Sequence, residues 1–389
     1  MKNNNSILRV FRNEFQKMFS DRAVLASFFV LSVLVAVLYS YVYSREITTE
    51  TPIAVVDECR TAESRQLIRM LDATEQVAVT ESPADFKAAE KLFYNQEVKG
   101  IVLIPKDFSQ KIYRKEQPSV SGYYDVSYFP YYKQVYKAVA TTVAYLNGGI
   151  ELKGLTAQGM SEAQASDTMS AIKAESVTLF NPNAGYGMFL MPMVFMIIIQ
   201  TLLLTGIGLL GGTQREKGIA ISGNGSLLET LNIILGKASS YLVVGFLYIS
   251  IVLWIVIPSF NLPQRGNLTD IYGFLLPYLL SLSFLGLWLV RFFKHREDVV
   301  LTISFTSIPV AMLSGVSWPV EAFPSVLRYL AELVPSTHAV KGFVALSQSG
   351  AKLSEIQELY TKMWLLCLFY FVLTMIFYHR WGKQLESKK

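Results

Sequence analysis

Ser314–Gly342 reads SGVSWPVEAFPSVLRYLAELVPSTHAVKG, and the fold follows from where this stretch lies. It begins where the apolar run Val299–Leu313 stops and ends before the last apolar run, Met363–Tyr378. Pro319, Pro324 and Pro335 bracket a short segment in which Val326, Leu327, Leu330 and Leu333 recur at helical spacing. Proline lacks the amide donor and clashes with the preceding turn, so no single helix runs through the stretch. Broken backbone at membrane depth is tolerated only where protein or a water-filled cavity covers it. The stretch (residues 314–342) is therefore expected to be a re-entrant wedge, with Trp318, Phe323 and Tyr329 as interfacial anchors.

The chain around it is 389 residues long, 52% hydrophobic and 17% charged. That is too apolar for a soluble protein and too charged for a bare membrane bundle, which implies a membrane domain plus a sizeable water-exposed one. Six apolar runs predict transmembrane helices at 23–43, 188–210, 241–257, 271–290, 299–313 and 363–378. Lys352–Lys362 is expected to be a separate polar helix outside the membrane. The net charge is +5, and basic residues gather before the first run, at Arg215, Lys217 and Lys237, at Arg291, Lys294 and Arg296, and in the tail 380–389. The positive-inside bias then puts both termini of a multi-pass protein in the cytoplasm; a bacterial inner membrane is the expected location. The first run is long and lacks a close small-x-small cleavage site, so it is expected to remain as a span.

Before that run, residues 1–22 form an amphipathic segment. Ile7, Leu8, Phe11, Phe15, Met18 and Phe19 share one helical face, and Arg9, Arg12, Lys17 and Arg22 lie elsewhere. A basic amphipathic helix of this kind lies flat on a membrane surface. It is either a cytoplasmic connecting helix that touches a partner or a topogenic flank.

Residues 45–187 contain no run able to span. Strands at 53–56, 77–79, 100–104 and 120–124 alternate with amphipathic helices at 62–71, 84–94 and 106–113. This is the pattern of a small α/β domain, extracytoplasmic by the charge bias. A long helix over 130–176 follows as a stalk, with Gly148-Gly149 and Gly154 as expected breaks. Cys59 is in a polar region and Cys367 in an apolar run, so no disulfide is implied. Neither a metal site nor a phosphate-binding loop is legible: before Gly236-Lys237, Leu231 stands where that loop needs glycine, and Ala238 follows in place of Ser/Thr.

The second run carries Gln200, Thr201 and Thr205. Polar groups within a span face a cavity or hydrogen-bond to neighbouring helices. The near absence of ionisable residues from the runs argues against an ion-coupled carrier and for apolar or amphipathic cargo. An enzyme would have to rest on Glu321, Glu332 and His338, which no nucleophile or H-E-x-x-H motif accompanies. A receptor or anchor with a ligand-binding outer domain is the remaining class, and the elaborated wedge and loop argue against it.

Gly315, Trp318, Pro319, Pro324, Leu333, Pro335, Thr337 and Ala339 make the wedge similar to the one that follows the fifth span in type-2 ABC exporter permeases. Arg215, Glu216, Lys217, Glu229, Leu231, Gly236 and Lys237 make residues 211–240 resemble the coupling loop of the same family. The order of one span, a large insertion, then five spans resembles the subgroup with an extracytoplasmic domain between the first two spans. That resemblance implies docking of a separate ABC ATPase at Arg215, Glu216, Lys217 and Glu229, so that ATP is bound by the partner and by nothing in this chain. It further implies a second permease copy, contact with membrane lipid, an outer lid at Trp318, Pro319, Pro324 and Pro335, and a periplasmic adaptor as a further partner; nucleic acid has no role. The chain departs from the pattern at Gly218-Ile219-Ala220, Gly223 and Gly225, where the family carries a second acidic residue and Gly-Thr.

Overall fold

The structure, a computed structural model, describes residues 6–169, 179–181, 184–217 and 226–386. The chain divides into two compact units, Met1–Ser44 with Gly187–Lys389, and Arg45–Tyr186.

Helix α1 (Ile7–Ser20) is followed at once by α2 (Arg22–Val42). Asp21 separates them: its carboxylate accepts the amides of Ala23 at 3.0 Å and Val24 at 3.3 Å, two of the donors a helix start leaves unpaired. The buried side of α1 is centred on Glu14 and Met18, so it is rotated from the expected face, and Ile7, Leu8 and Phe19 are exposed.

The second unit runs β1 (Thr51–Asp57), α3 (Ala62–Asp72), β2 (Val77–Glu81), α4 (Phe86–Tyr94), β3 (Gly100–Ile104), α5 (Phe108–Tyr113), β4 (Ser121–Tyr124), α6 (Phe129–Ala157) and α7 (Glu162–Met169). The strand order is β2-β1-β3-β4, with β1 parallel to both neighbours and β4 antiparallel. The central strand TPIAVVD is apolar nearly throughout because both of its faces are covered. Ile53 and Val55 pack with Leu67, Leu71 and Val135, while Ala54 and Val56 pack with Ala89 and Val98. Gly148, Gly149 and Gly154 do not break α6; the chain leaves it at Gly159, which has a φ of +94°. A Cβ would meet nothing within 4 Å at Gly149 and Gly154 and only the Met169 Cε, at 3.8 Å, at Gly148, and the helix runs through all three. The end of the expected stalk, 170–176, lies outside the described residues.

The first unit continues with α8 (Tyr186–Glu216), α9 (Leu227–Ser259), α10 (Leu268–Phe292), α11 (Arg296–Leu313), α12 (Ser325–Glu332), α13 (Pro335–Ser347) and α14 (Gln357–Glu386). Among the described residues five helices are long and apolar enough to cross a membrane: Arg22–Val42, Tyr186–Glu216, Leu227–Ser259, Leu268–Phe292 and Leu353–Trp381. The run expected as a span at 299–313 is not among them. It lies in α11, an 18-residue helix whose first turn is Arg296-Glu297-Asp298, and a full crossing takes about 20 apolar residues.

Three other boundaries move. Most of the loop expected over 211–240 is helix, since α8 runs to Glu216 and α9 starts at Leu227. The helix expected over 352–362 is largely the first turns of α14, because no Gly or Pro interrupts Gln357–Trp381. The wedge ends as a buried helix running on to Ser347.

Inside α8, Pro192 cannot donate to the carbonyl of Met188; the Gln348 side-chain amide donates to that oxygen instead. Helix packing is close. A Cβ at Gly206 of α8 would sit 2.1 Å from the Phe28 ring of α2. Small residues at such crossings let membrane helices approach, where lipid offers no hydrophobic drive for their association.

Candidate functional site

A groove of about 370 Å³ lies between α2, α8 and α11. Val35 and Tyr39 come from α2, Ile197 and Thr201 from α8, and Ser307 and Ile308 from α11. No charged side chain lines it. Ser307 turns its hydroxyl back onto the Ser304 carbonyl at 2.8 Å, which leaves Thr201 and Tyr39 as the polar features of an apolar wall. Gln200 and Thr205, expected beside Thr201, do other work. Gln200 is 2% exposed, and its Oε1 accepts the Ser336 amide at 3.0 Å. Ser336 stands in the first turn of α13, whose N-cap, Val334, has no side-chain acceptor, so Gln200 caps α13 from another helix. Thr205 donates to the Thr201 carbonyl at 2.7 Å within its own helix.

The wedge leaves α11 at Gly315, whose φ of +83° suits a residue without Cβ. Trp318 is exposed, and Pro319 opens the single turn Val320–Ala322. Pro324 starts α12, which exposes Val326, Leu327, Tyr329 and Leu330. Pro335 is the first residue of α13, where a missing amide costs nothing. The carbonyl of Leu333 at this break accepts the Tyr370 hydroxyl of α14 at 2.6 Å. The Ser314 and Ser336 hydroxyls bond to each other and tie the start of the wedge to α13. A second cavity, of about 430 Å³, lies against Phe189, Met193, Trp318 and Lys341. Glu321 pairs with Lys341, which holds its carboxyl below the usual carboxylate range. His338 is buried, with Nε2 3.1 Å from the Glu332 carbonyl and 3.5 Å from its carboxylate. Of the three residues an enzyme would have to rest on, His338 thus faces Glu332, while Glu321 is used in a separate contact with Lys341.

Of the residues expected to couple to an ATPase, Glu216 and Lys217 are exposed and Glu229 is half-buried. The Glu216 carboxylate lies 3.4 Å from the Arg296 amide that opens α11. Arg215 turns inward: its guanidinium donates to the carbonyls of Val290, at 2.9 Å, and Arg291, and lies 4.9 Å from the ring centre of Trp381. It thereby satisfies the C-terminal carbonyls of α10. Residues 218–225, including Gly218, Gly223 and Gly225 of the expected loop, lie outside the described residues.

The feature that sequence reading missed is a buried charge cluster joining α1 to α9. Glu14 is 2% exposed, lies 3.4 Å from Lys237 Nζ, and accepts the Tyr241 hydroxyl at 2.6 Å. Lys237 also donates to Gln214 Oε1 of α8 at 3.1 Å. Burial pushes the Glu14 carboxyl up, but Lys237, Lys17 and Tyr241 outweigh it, and the group sits below the usual carboxylate range. Gly236 makes the approach possible: a Cβ there would lie 2.7 Å from Val10 Cβ and 2.8 Å from the Ile7 carbonyl. The signal was present, since Val10, Glu14 and Met18 repeat at four-residue spacing and place one acid on a helix's buried face. Nearby, Arg296 donates to both carboxylate oxygens of Asp21, one bond measuring 2.6 Å, and so holds the Asp21 carboxyl below its usual range. The same guanidinium donates to Thr213 of α8 at 3.2 Å, so α2, α8 and α11 meet at one ion pair.

The described residues thus form an uncharged groove, a proline-broken wedge, and a polar face that ties the N-terminal helix to the bundle. Comparison with known proteins gives the family. The family model described as "ABC-2 family transporter protein" matches residues 22–376. The chain is 22% identical over 324 residues to the linearmycin resistance permease protein LnrN of Bacillus subtilis, covering 78% of this chain and 81% of that one. It is 30% identical over 161 residues to "Probable multidrug ABC transporter permease YbhR" of Escherichia coli, covering 41% of this chain and 43% of that one. The chain belongs to the ABC-2 transporter family and is a membrane permease of the ABC-exporter class.

Proposed function

We propose that this permease exports amphipathic or hydrophobic molecules, such as drug-like compounds, lipids or peptides, along the groove between α2, α8 and α11. The observation that carries this reading is the lining: apolar walls, two hydroxyl features and no charge. Such a surface suits cargo that partitions into lipid and penalises ions, whose desolvation nothing there would offset. The drug-resistance names of the relatives support the same cargo class.

The groove is open on one side. Leu34 and Leu38 of α2 and Leu301, Phe305, Ile308 and Met312 of α11 are exposed beside it. A second permease copy laid on this face would close the path and bury those side chains. In this arrangement α11 is the fifth membrane helix in chain order and brings the number to six, shortened and shielded by the pairing. A separate ATPase subunit docks at Glu216, Lys217, Glu229 and the connection between α8 and α9, binds the ATP, and moves α1 through the Glu14–Lys237 cluster. The wedge at Trp318, Pro319, Pro324 and Pro335 is the outer lid. Both termini then face the cytoplasm of a bacterial inner membrane, and the α/β unit lies outside, where a periplasmic adaptor can meet it.

Filling the groove tests the reading. Thr201→Trp and Ile308→Trp, at matched membrane expression with the ATPase, should abolish resistance to a panel of amphiphilic antibiotics while ATPase co-purification persists. Full resistance in both variants would remove the groove from the transport path.

A further inference from the structure

A third cavity, of about 450 Å³, opens at the end of α8, α10 and α14. Arg215, Arg291 and Arg380 line it, with Trp288 and Trp381 beside them. Its remaining wall is Leu373, Ile376 and Phe377, one apolar side of α14. No acidic residue lines it, and among the described residues none of the three arginines forms an ion pair with a carboxylate. Arg215 is partly committed to the carbonyls that end α10, whereas Arg291 and Arg380 are exposed.

Three guanidinium groups converging on one concavity repel each other, and the arrangement is favourable when an anion is shared among them. Guanidinium forks match phosphate geometry in particular. The tryptophans mark the depth: indole rings collect at the membrane–water boundary. Below them, Leu373, Ile376 and Phe377 continue onto a helix apolar enough to cross the membrane. A soluble phosphate would use the arginines and leave this wall unoccupied. A phospholipid uses both. We propose that this cavity binds an anionic phospholipid, with the phosphate on Arg291 and Arg380, the headgroup against the indoles, and an acyl chain along α14. The site thereby binds the lipid to the C-terminal ends of α8 and α10 together, next to the face bearing Glu216 and Lys217.

The test uses the full-length chain in detergent, with bound lipid counted by native mass spectrometry. Phosphatidylglycerol and phosphatidylcholine of identical acyl chains are the probes. Wild type should retain phosphatidylglycerol preferentially. Arg291→Gln with Arg380→Gln should lose that preference about ten- to thirtyfold, the loss expected for two basic contacts near an anionic surface. Arg12→Gln with Lys294→Gln, which removes two exposed charges elsewhere, should leave it within about twofold. Arg215 is left intact because it holds α10, and Arg380→Gln alone provides a variant confined to an exposed side chain. Three results would each overturn the proposal: equal retention by wild type and the double variant, an equal loss in the control pair, or full displacement by millimolar inorganic phosphate. Unchanged lipid retention with lost ATPase co-purification would make the cavity a protein-docking surface instead.

Discussion

Glu14→Gln and Lys237→Met, singly and together, test whether the N-terminal helix is an integral part of the bundle. Both side chains are buried, at 2% and 7% exposure, with 3.4 Å between Glu14 Oε1 and Lys237 Nζ. Removing one member of a buried pair strands the other charge away from water and typically costs ~3–5 kcal/mol. Glu14→Gln should fall at the low end, since Lys237 keeps Gln214 at 3.1 Å. Lys237→Met should cost more, because Glu14 would retain only Lys17 at 3.6 Å, whose own side chain is about half exposed, and the Tyr241 hydroxyl. The double variant carries no stranded charge and should be more stable than either single one, with an interaction energy of several kcal/mol. The assay is equilibrium unfolding of the purified chain in mixed micelles, titrated with a denaturing detergent and followed by tryptophan fluorescence. An acid limb adds a sign test. A carboxyl depressed in the folded state lends stability above its ordinary value of 4.5, and that stability is lost as pH falls through the lower folded value. Wild type should therefore weaken below about pH 4.5 more steeply than Glu14→Gln. Single losses under about 1 kcal/mol that simply add in the double variant would show that the pair is not coupled, and the argument for an anchored α1 would fail.

Gly236→Val should displace α1, because its Cβ would lie 2.7 Å from Val10 Cβ; increased proteolysis within residues 7–20 of the intact protein would register this, and an unchanged digest would refute it. Gln200→Leu should cost about 1–3 kcal/mol by orphaning the buried Ser336 amide, whereas Thr205→Val, which loses only a bond within its own helix, should cost less; the reverse order in the same unfolding assay would contradict the capping role. Glu216→Lys should weaken co-purification of the ATPase while the chain still inserts, and unchanged recovery would move the docking contact away from this residue.

Composition and periodicity alone determined much of this protein. A bundle of apolar helices interrupted by an alternation of strands and helices is legible because hydrophobic patterning reports burial directly, as in Thr51–Asp57 and Gly100–Ile104. The proline breaks around 319–335 are legible for the same local reason: a missing amide and a ring clash are properties of the residue itself. Helix ends were less so. Gly148, Gly149 and Gly154 read as breaks but lie within α6, since a few weak residues do not outweigh a continuous hydrogen-bond ladder. What each polar residue does was decided only by tertiary structure. Gln200, Thr201 and Thr205 sit within six positions of one helix, yet one caps a distant helix, one lines a groove and one bonds to its own backbone. Helical phase puts neighbouring residues on different faces, and only the packing of α8 against α2, α11 and α13 says which face meets which partner. Glu14 and Lys237 stand 223 positions apart, and Gln214 and Lys237 stand 23 apart. Their pairing depends on α1 folding back over Gly236, a contact that no local pattern encodes.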